Sequence, residues 1–209
     1  MAQAPRRLAY YDRLSAKNKA IYRRGDVITG VELPDAPRLR PELRAAAGAA
    51  ARALEAGKPS RVRAQAQKIC DLITSSLGTE QVTVKVLRVR PQRSFGELHG
   101  LYTRADGKPP TLRVWMRTAQ RADVVKPRTF LRTLVHELCH HLDYAHYRLG
   151  ESFHNPGFFQ RESSLLRLLA APADEPAAET TLAPAGSPAD SQLELPPETP
   201  VQLRLPELW

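Results

Sequence analysis

The sequence predicts an α+β fold with a helical N-terminal part and a small, mostly antiparallel sheet packed on one long helix. Apolar residues recur at helical spacing in residues 41–77 and 127–149, whereas apolar and β-branched residues alternate with polar ones between these regions. Hydrophobic residues make up 42% of the chain and charged residues 25%, which is typical of globular proteins. A chain of 209 residues is long enough for one domain with a substantial core.

Residues 1–57 are predicted to form a basic N-terminal segment that contains a helix. Tyr10, Tyr11 and Tyr22 stand among Arg and Lys residues. This pattern favours a helix held against the domain by its tyrosines, and the alternative is a surface on which nucleotide bases stack. Pro41 to Ala56 is rich in Ala, Leu and Arg, which predicts a further helix.

The next predicted helix begins with Ser60 as its N-cap and stops at Gly78. Its apolar positions recur at helical spacing and predict one buried stripe: Val62, Ala66, Ile69, Cys70, Ile73 and Leu77. Cys70 lies on this stripe, so we expect it in the core.

Three predicted strands follow. "VTVKVLRVR" (82–90) alternates and is rich in β-branched residues, which is typical of a strand. "GELHGLYTR" (96–104) and "TLRVWMRT" (111–118) are separated by "ADGKPP", a strong turn signal. We therefore expect the last two strands to be joined by a hairpin-like connection.

The following helix carries the sequence "HELCH", an HExxH motif. Lys126-Pro127 places proline at the first helical position, and Gly150 is expected to end the helix. His136 and His140 are four residues apart on one helical face, so both imidazoles can reach one Zn²⁺ ion. Glu137 then lies beside the metal as the predicted catalytic base for its bound water. A zinc site and a zincin-like domain are predicted from this helix.

A catalytic zinc site takes three protein ligands, and three residues are candidates for the third. His146 would point away from His140 on a continuous helix, and no Met-turn follows it. His154 is favoured, because Asn155-Pro156 begins the next helix directly after it. Glu162 is the rival, either as a ligand or as a carboxylate that holds a histidine ring.

Other residues near the motif are assigned simpler roles. His141 is about 100° from the ligand face and is predicted to be solvated. His99 is predicted to lie on a strand surface. Cys139 is predicted to be a small core residue.

Charge is distributed unevenly along the chain. Residues 171–209 contain seven acidic residues and one basic residue, which leaves a net charge of +15 for residues 1–170. The basic body predicts attraction to nucleic acid. The Pro-, Ala- and acid-rich tail at 171–209 is predicted to be disordered, with a terminal "LRLPELW" that could dock on a partner.

Targeting signals and cysteine content indicate the cellular compartment in which the protein is expected. Cys70 and Cys139 are the only cysteines, and two are too few for a disulfide framework. The N-terminus has no apolar core of signal-peptide length, and no apolar run approaches the length of a membrane span. These features predict a cytoplasmic protein with no membrane partner.

The order of these motifs resembles the SprT-like metalloprotease family, which includes Spartan in eukaryotes. The resemblance covers about Ser60 to Leu169 and rests on "HGLYTR", "FLRTLVHELCHHLDY" and "SFHNPGFF". It implies a SprT-like domain at 58–170 that binds zinc through His136, His140 and His154. Two features differ from the family: the chain lacks the cysteines for a zinc ribbon, and Asn155 follows His154 where glycine is usual.

The predicted function is a zinc-dependent metallopeptidase that acts on protein substrates, and the resemblance implies substrates associated with DNA. The strand at Leu112 to Met116 is predicted to be the sheet edge that pairs with an extended substrate. Tyr102, Tyr144 and Tyr147 are candidates for stabilising the oxyanion. Two alternatives stay open: a small regulatory zinc protease of the ImmA/IrrE kind that cleaves a repressor, and a non-catalytic nucleic-acid-binding protein.

Overall fold

A computed structural model describes residues 10–93 and 96–170 of the chain. Its five α-helices in this part are α1 (Ala16–Asp26), α2 (Ala36–Glu55), α3 (Pro59–Ser76), α4 (Pro127–Ala145) and α5 (Pro156–Leu169). The strands are β1 (Thr83–Val89), β2 (Gln92–Arg93), β3 (Gly96–Glu97), β4 (Gly100–Ala105) and β5 (Lys108–Arg117). The predicted α+β class is therefore confirmed.

The main sheet has three strands in the order β1-β5-β4. β4 and β5 form the predicted antiparallel hairpin, but β1 runs parallel to β5, with Val84 opposite Leu112. The sheet is thus mixed, and the prediction of a mostly antiparallel sheet is wrong. β1 ends beside Arg117 and β4 begins beside Val114, on the opposite edge of β5.

The central position of β5 corrects a second prediction. The strand at Leu112 to Met116 was expected at the sheet edge, but it lies between β1 and β4. The alternation of residue types along a strand indicates which face of the strand is buried, but it does not indicate the position of the strand within the sheet. In the part of the chain that is described, the edges of this sheet are β1 and β4.

The core lies between one face of the sheet and the helices α3 and α4. Val84, Leu112 and Val114 point into it from the sheet and are almost fully buried. The helices contribute the fully buried side chains Ile69, Cys70, Ile73, Leu134, Leu138 and Leu142. The predicted apolar stripe, including Cys70, therefore lies in the core from Val62 to Ile73, and Leu77 packs against the core half-buried.

The N-terminal helices belong to the same packed body. Tyr11 and Tyr22 are 4% and 2% exposed, and their rings meet edge to face at 4.9 Å between centroids. The prediction of a helix held by its tyrosines is confirmed. Asn155 Nδ2 donates to the carbonyl of Tyr22 at 2.9 Å, which joins α1 to the start of α5.

Several helix ends differ from the predictions, and proline accounts for two of them. α3 begins at Pro59 with Lys58 as N-cap, so Ser60 is in the first turn and does not cap the helix. α2 begins at Ala36 and continues through Pro41, where the helix had been expected to start. α4 ends at Ala145, before Gly150, because the chain turns through Arg148 at a φ of 54°.

The start of α5 was predicted correctly. The Asn155 side chain accepts a hydrogen bond from the Phe158 backbone N–H at 2.8 Å, and Pro156 is the first helical residue. The predicted disordered tail at 171–209 lies outside the described residues. Among the helices that are described, none combines the length and apolar character needed to cross a membrane.

Gly157 allows α5 to approach α1 closely, and its substitution tests this packing. A Cβ at this position would lie 2.5 Å from the carbonyl oxygen of Asp26 and 2.6 Å from that of Gly25. We expect Gly157→Ala to lower the free energy of unfolding by about 1–3 kcal/mol, because backbone atoms must shift. Urea denaturation followed by circular dichroism measures the change.

Gly48→Ala is the matched control, because it adds the same methyl group to a helix with room for it. The nearest atom to its Cβ would be the flexible guanidinium of Arg52 at 3.4 Å. We expect this control to be neutral or to stabilise α2 by up to about 1 kcal/mol. Equal stability of both variants would contradict the close packing of α1 on α5.

Candidate metal centre

Three histidines bring their ring nitrogens to one point. His154 Nε2 is 3.0 Å from His136 Nε2 and 3.0 Å from His140 Nε2. The two helical histidines are brought together by the four-residue spacing on α4, and His154 enters from the loop before α5. Phe158 is fully buried and packs against all three rings, with centroids 4.8 to 5.0 Å away.

The chemistry of these nitrogens fits a metal ion. His136 Nδ1 and His140 Nδ1 each contact an oxygen acceptor, which favours the tautomers that keep their Nε2 atoms unprotonated. Lone pairs that face one another repel unless a cation lies between them. Tetrahedral zinc with bonds of 2.0–2.1 Å holds its nitrogen ligands about 3.3–3.4 Å apart. The three histidines therefore lie close enough to bind one metal ion.

Glu162 holds the ring of His136 and is not one of the converging ligands. Its Oε2 accepts from His136 Nδ1 at 2.9 Å, and its Oε1 accepts from Arg132 Nε at 2.7 Å. Burial alone would raise the pKa of Glu162, but the hydrogen bonds from His136 and Arg132 outweigh it and lower the pKa. The carboxylate is therefore ionised and fixes the orientation of the first histidine.

A chain of buried polar groups holds His140 in the same way. His140 Nδ1 lies 2.7 Å from Ser152 Oγ, which donates to Asp143 Oδ2 at 2.7 Å. Asp143 Oδ1 pairs with Arg161 Nη2 at 2.9 Å, and neither side chain is more than 1% exposed. Arg161 Nη1 also donates to the carbonyls of Gly25 and Ile28, at 2.6 and 2.7 Å. We call Ser152, Asp143 and Arg161 the polar relay.

Burial shifts the ionisation of the groups in and beside this chain. Desolvation, with the nearby His154 and His136, lowers the pKa of His140 well below its usual value. His140 is consequently neutral near pH 7, which is the state that binds metal. Burial also raises the pKa of Asp143 to about 6, although Arg161 and Ser152 oppose the shift.

Glu137 lies where α4 meets the start of β4. Its side chain is 7% exposed, and a Cβ on Gly100 would approach its Oε1 to within 2.3 Å and its Cγ to within 2.7 Å. The absence of a side chain at Gly100 therefore makes room for this carboxylate. Position 100 requires glycine because Glu137 approaches it closely, and the backbone angles of Gly100 do not require it.

The prediction that His141 is solvated is wrong. Its side chain is fully buried, with Nε2 at 2.7 Å from the carbonyl of Glu80 and Nδ1 at 3.3 Å from Tyr102 Oη. The helical angle of His141 correctly predicted that its ring points away from the metal face. That side of α4 is covered by Glu80, which precedes β1, and by Tyr102 of β4. His141 thus ties α4 to the sheet.

Most of the other predicted residues lie as expected. Cys139 is 1% exposed in the core. His146 packs on the ring of Tyr147 and lies outside the histidine cluster. His99 is exposed as predicted, but it lies between β3 and β4 and not on a strand, because the predicted strand 96–104 is interrupted there.

Two of the three candidate tyrosines have their hydroxyls engaged elsewhere. Tyr102 Oη contacts His141, and Tyr147 Oη donates to the carbonyl of Gly30 at 3.0 Å. Tyr144 Oη has a long contact of 3.4 Å to Glu151 Oε2, and Tyr144 follows His140 by one helical turn. The Tyr144 hydroxyl is thus engaged as well, and the oxyanion role of these tyrosines stays a prediction.

Sequence reasoning did not find the polar relay. Ser152, Asp143 and Arg161 belong to no recognised motif. One signal was present: Arg161 and Glu162 fall on the otherwise apolar side of α5, where charged residues need partners.

Ser152→Ala tests whether the polar relay positions His140. We expect zinc affinity to fall about 10- to 100-fold, because a ligand ring loses its outer hydrogen bond. Competition with a chromogenic chelator measures the affinity, and Ser152→Thr should restore most of it. Ser163→Ala removes a hydroxyl that donates to Phe159 O within its own helix, and it should leave affinity unchanged. Equal affinity of Ser152→Ala and the wild type would exclude this role.

Neither the protein-family models, nor the curated proteins, nor the solved structures yield a match to this chain. The resemblance to SprT-like proteases accordingly stays a prediction from the sequence motifs, and any function must be argued from the residues of the metal centre.

Proposed function

We propose that the chain is a zinc-dependent metallopeptidase that hydrolyses peptide bonds in protein substrates. One arrangement carries the proposal: His136, His140 and His154 converge through their Nε2 atoms, and Glu137 stands next to the first of them on the same helix. Three histidine ligands leave a fourth position of tetrahedral zinc open, as catalytic sites require. Nitrogen ligands at this spacing suit zinc better than calcium or magnesium, which take oxygen ligands.

Each protein group has a separate task in the proposed reaction. Zinc, when bound, supplies Lewis acidity, which acidifies a water molecule and polarises a carbonyl. Glu137 accepts a proton from the attacking water while the water oxygen forms a bond to the peptide carbon. Glu137 then gives the proton to the amide nitrogen as the C–N bond breaks. Glu162 and the polar relay hold two of the histidine rings.

The free edge of β4 is the proposed binding strand for the substrate. In the residues that are described, β4 pairs only with β5, so its other edge has backbone groups available for a peptide. β4 begins at Gly100, against the Glu137 carboxylate. A peptide that extends this sheet beside β4 would therefore pass close to the proposed base.

Glu137→Gln tests the proposed chemistry. We expect zinc content to stay at one ion per chain while cleavage of an unfolded protein such as casein falls at least about 100-fold, because the base is lost. Metal analysis and gel-based cleavage, with and without a chelator, measure the two properties. Glu55→Gln removes an exposed carboxylate at the end of α2 and should retain both.

Two results would count against the proposal. Cleavage by Glu137→Gln at the wild-type rate would exclude Glu137 as the base. Stoichiometric zinc binding with no cleavage of casein, or of a peptide library, by the wild-type chain would assign the metal a structural role.

Gly100→Ala tests the clearance beside the base. We expect the methyl group to displace the Glu137 carboxylate and reduce cleavage at least about 10-fold, because catalysis is sensitive to misplacements of 1 Å. Zinc affinity should be retained, because the three histidines are untouched. Gly30→Ala is the control, since its Cβ would lie 3.9 Å from Ser164. Unchanged cleavage by Gly100→Ala would show that this clearance is not required.

A further inference from the structure

The side chain of Phe159 lies beside the histidine cluster and is open to solvent. Its ring stacks on that of His154, with centroids 6.1 Å apart and planes inclined by 25°. Phe158 meets the same ring edge to face at 5.7 Å, yet Phe159 stays 41% exposed. Every other Tyr, Trp or Phe whose burial the structure describes is buried or half-buried. The described part of the chain thus has one exposed aromatic ring, and that ring contacts a proposed metal ligand.

Packing of the histidine cluster does not account for this ring. Phe158 is fully buried and already packs against all three histidine rings, whereas Phe159 stacks on His154 alone. Single exposed apolar side chains are common on protein surfaces, so exposure by itself carries no meaning. The other large exposed apolar residues that are described are aliphatic and belong to other segments: Val27, Leu87, Val89 and Val124. Phe159 differs from them by its position at the metal centre.

The charges near Phe159 favour an uncharged substrate side chain. Phe159 and Glu162 are three residues apart on α5 and therefore share one side of that helix. The buried Glu162 carboxylate binds Arg132, whose side chain is largely exposed, so a positive group lies on the solvent side of this pair. An ammonium group is attracted to the face of an aromatic ring, but Arg132 opposes its approach. A carboxylate is disfavoured by the negative face of the ring.

We propose that Phe159 forms an apolar subsite that selects an aromatic or large aliphatic side chain next to the scissile peptide bond. The subsite rests on the proposed peptidase function, because it adjoins the open coordination position beside His154. A large apolar side chain would cover the exposed part of the ring, and an aromatic one would add an offset-stacked or edge-to-face contact. A small side chain would leave the ring in water. Phe159 therefore discriminates between substrates and takes no part in proton transfer.

Two hydroxamates that share one zinc-binding group test the subsite without catalysis. Acetohydroxamate carries a methyl group, and phenylacetohydroxamate adds a phenyl ring to it. We expect the phenyl ring to increase affinity for the zinc-loaded full chain at least about 10-fold, because it covers Phe159. Isothermal titration calorimetry measures both dissociation constants.

Variants of Phe159 show whether this ring causes the gain. Phe159→Ala should remove the gain from the phenyl group and leave the affinities for acetohydroxamate and for zinc unchanged. Phe159→Leu keeps an apolar surface and should retain most of the gain. Val27→Ala is the matched control, because it shortens an exposed apolar side chain at the end of α1, and it should retain all of the gain. Circular dichroism confirms that each variant is folded.

The outcomes separate the subsite from the peptidase proposal. Equal affinity of the wild type for both hydroxamates would overturn the subsite and leave an open zinc position supported, whereas no affinity for acetohydroxamate would contradict both proposals. A loss of zinc affinity in Phe159→Ala, with the phenyl gain retained, would make the ring a support for His154 and overturn the subsite.

Mass spectrometry of casein fragments tests the same preference in cleavage by the wild type. Aromatic or large aliphatic residues should stand next to the cleaved bonds, and Phe159→Ala should weaken this preference. Cleavage mainly beside lysine, arginine or acidic residues would overturn the subsite and leave the peptidase function standing.

Discussion

The buried ion pair between Asp143 and Arg161 is the contact on which the arrangement of the metal centre depends. It joins α4 to α5, and the same guanidinium binds the carbonyls that end α1. Removing one partner of such a pair typically costs about 3–5 kcal/mol, because the other charge is left buried without compensation. The hydrogen bonds to Gly25 and Ile28 satisfy Arg161 Nη1, and the one from Ser152 satisfies Asp143 Oδ2, which helps to make a charged pair tolerable in the core.

The three histidines are held by different elements, and the helices fix their relative positions. His136 and His140 are adjacent because of helical geometry, whereas His154 depends on the turn after α4 and on the capped start of α5. Glu162 and Ser152 orient two rings from outside, and Phe158 fills the space beneath all three. Rigid placement of this kind lets a metal bind with little reorganisation of its ligands.

Local patterns predicted most of the helices, the strands of the main sheet and all three histidines of the cluster. The HExxH spacing and the Asn155-Pro156 helix start are local sequence signals, because each depends on residues within about one helical turn. The parallel pairing of β1, the burial of His141 and the polar relay depend on contacts between segments far apart in the chain. His141 shows the limit clearly: its helical angle predicted a position away from the metal, but not that Glu80 and Tyr102 would cover it.

The insertion of β5 between β1 and β4 has a consequence for how the chain folds. β1 is made first but has no partner among the residues before it, so it must wait for a central strand that ends at Arg117. α5 must likewise return to α1, which lies more than 120 residues earlier in the chain. Such non-local pairing slows folding. The histidine cluster is therefore assembled only when the chain has been synthesised through α5, and a nascent N-terminal fragment cannot form it.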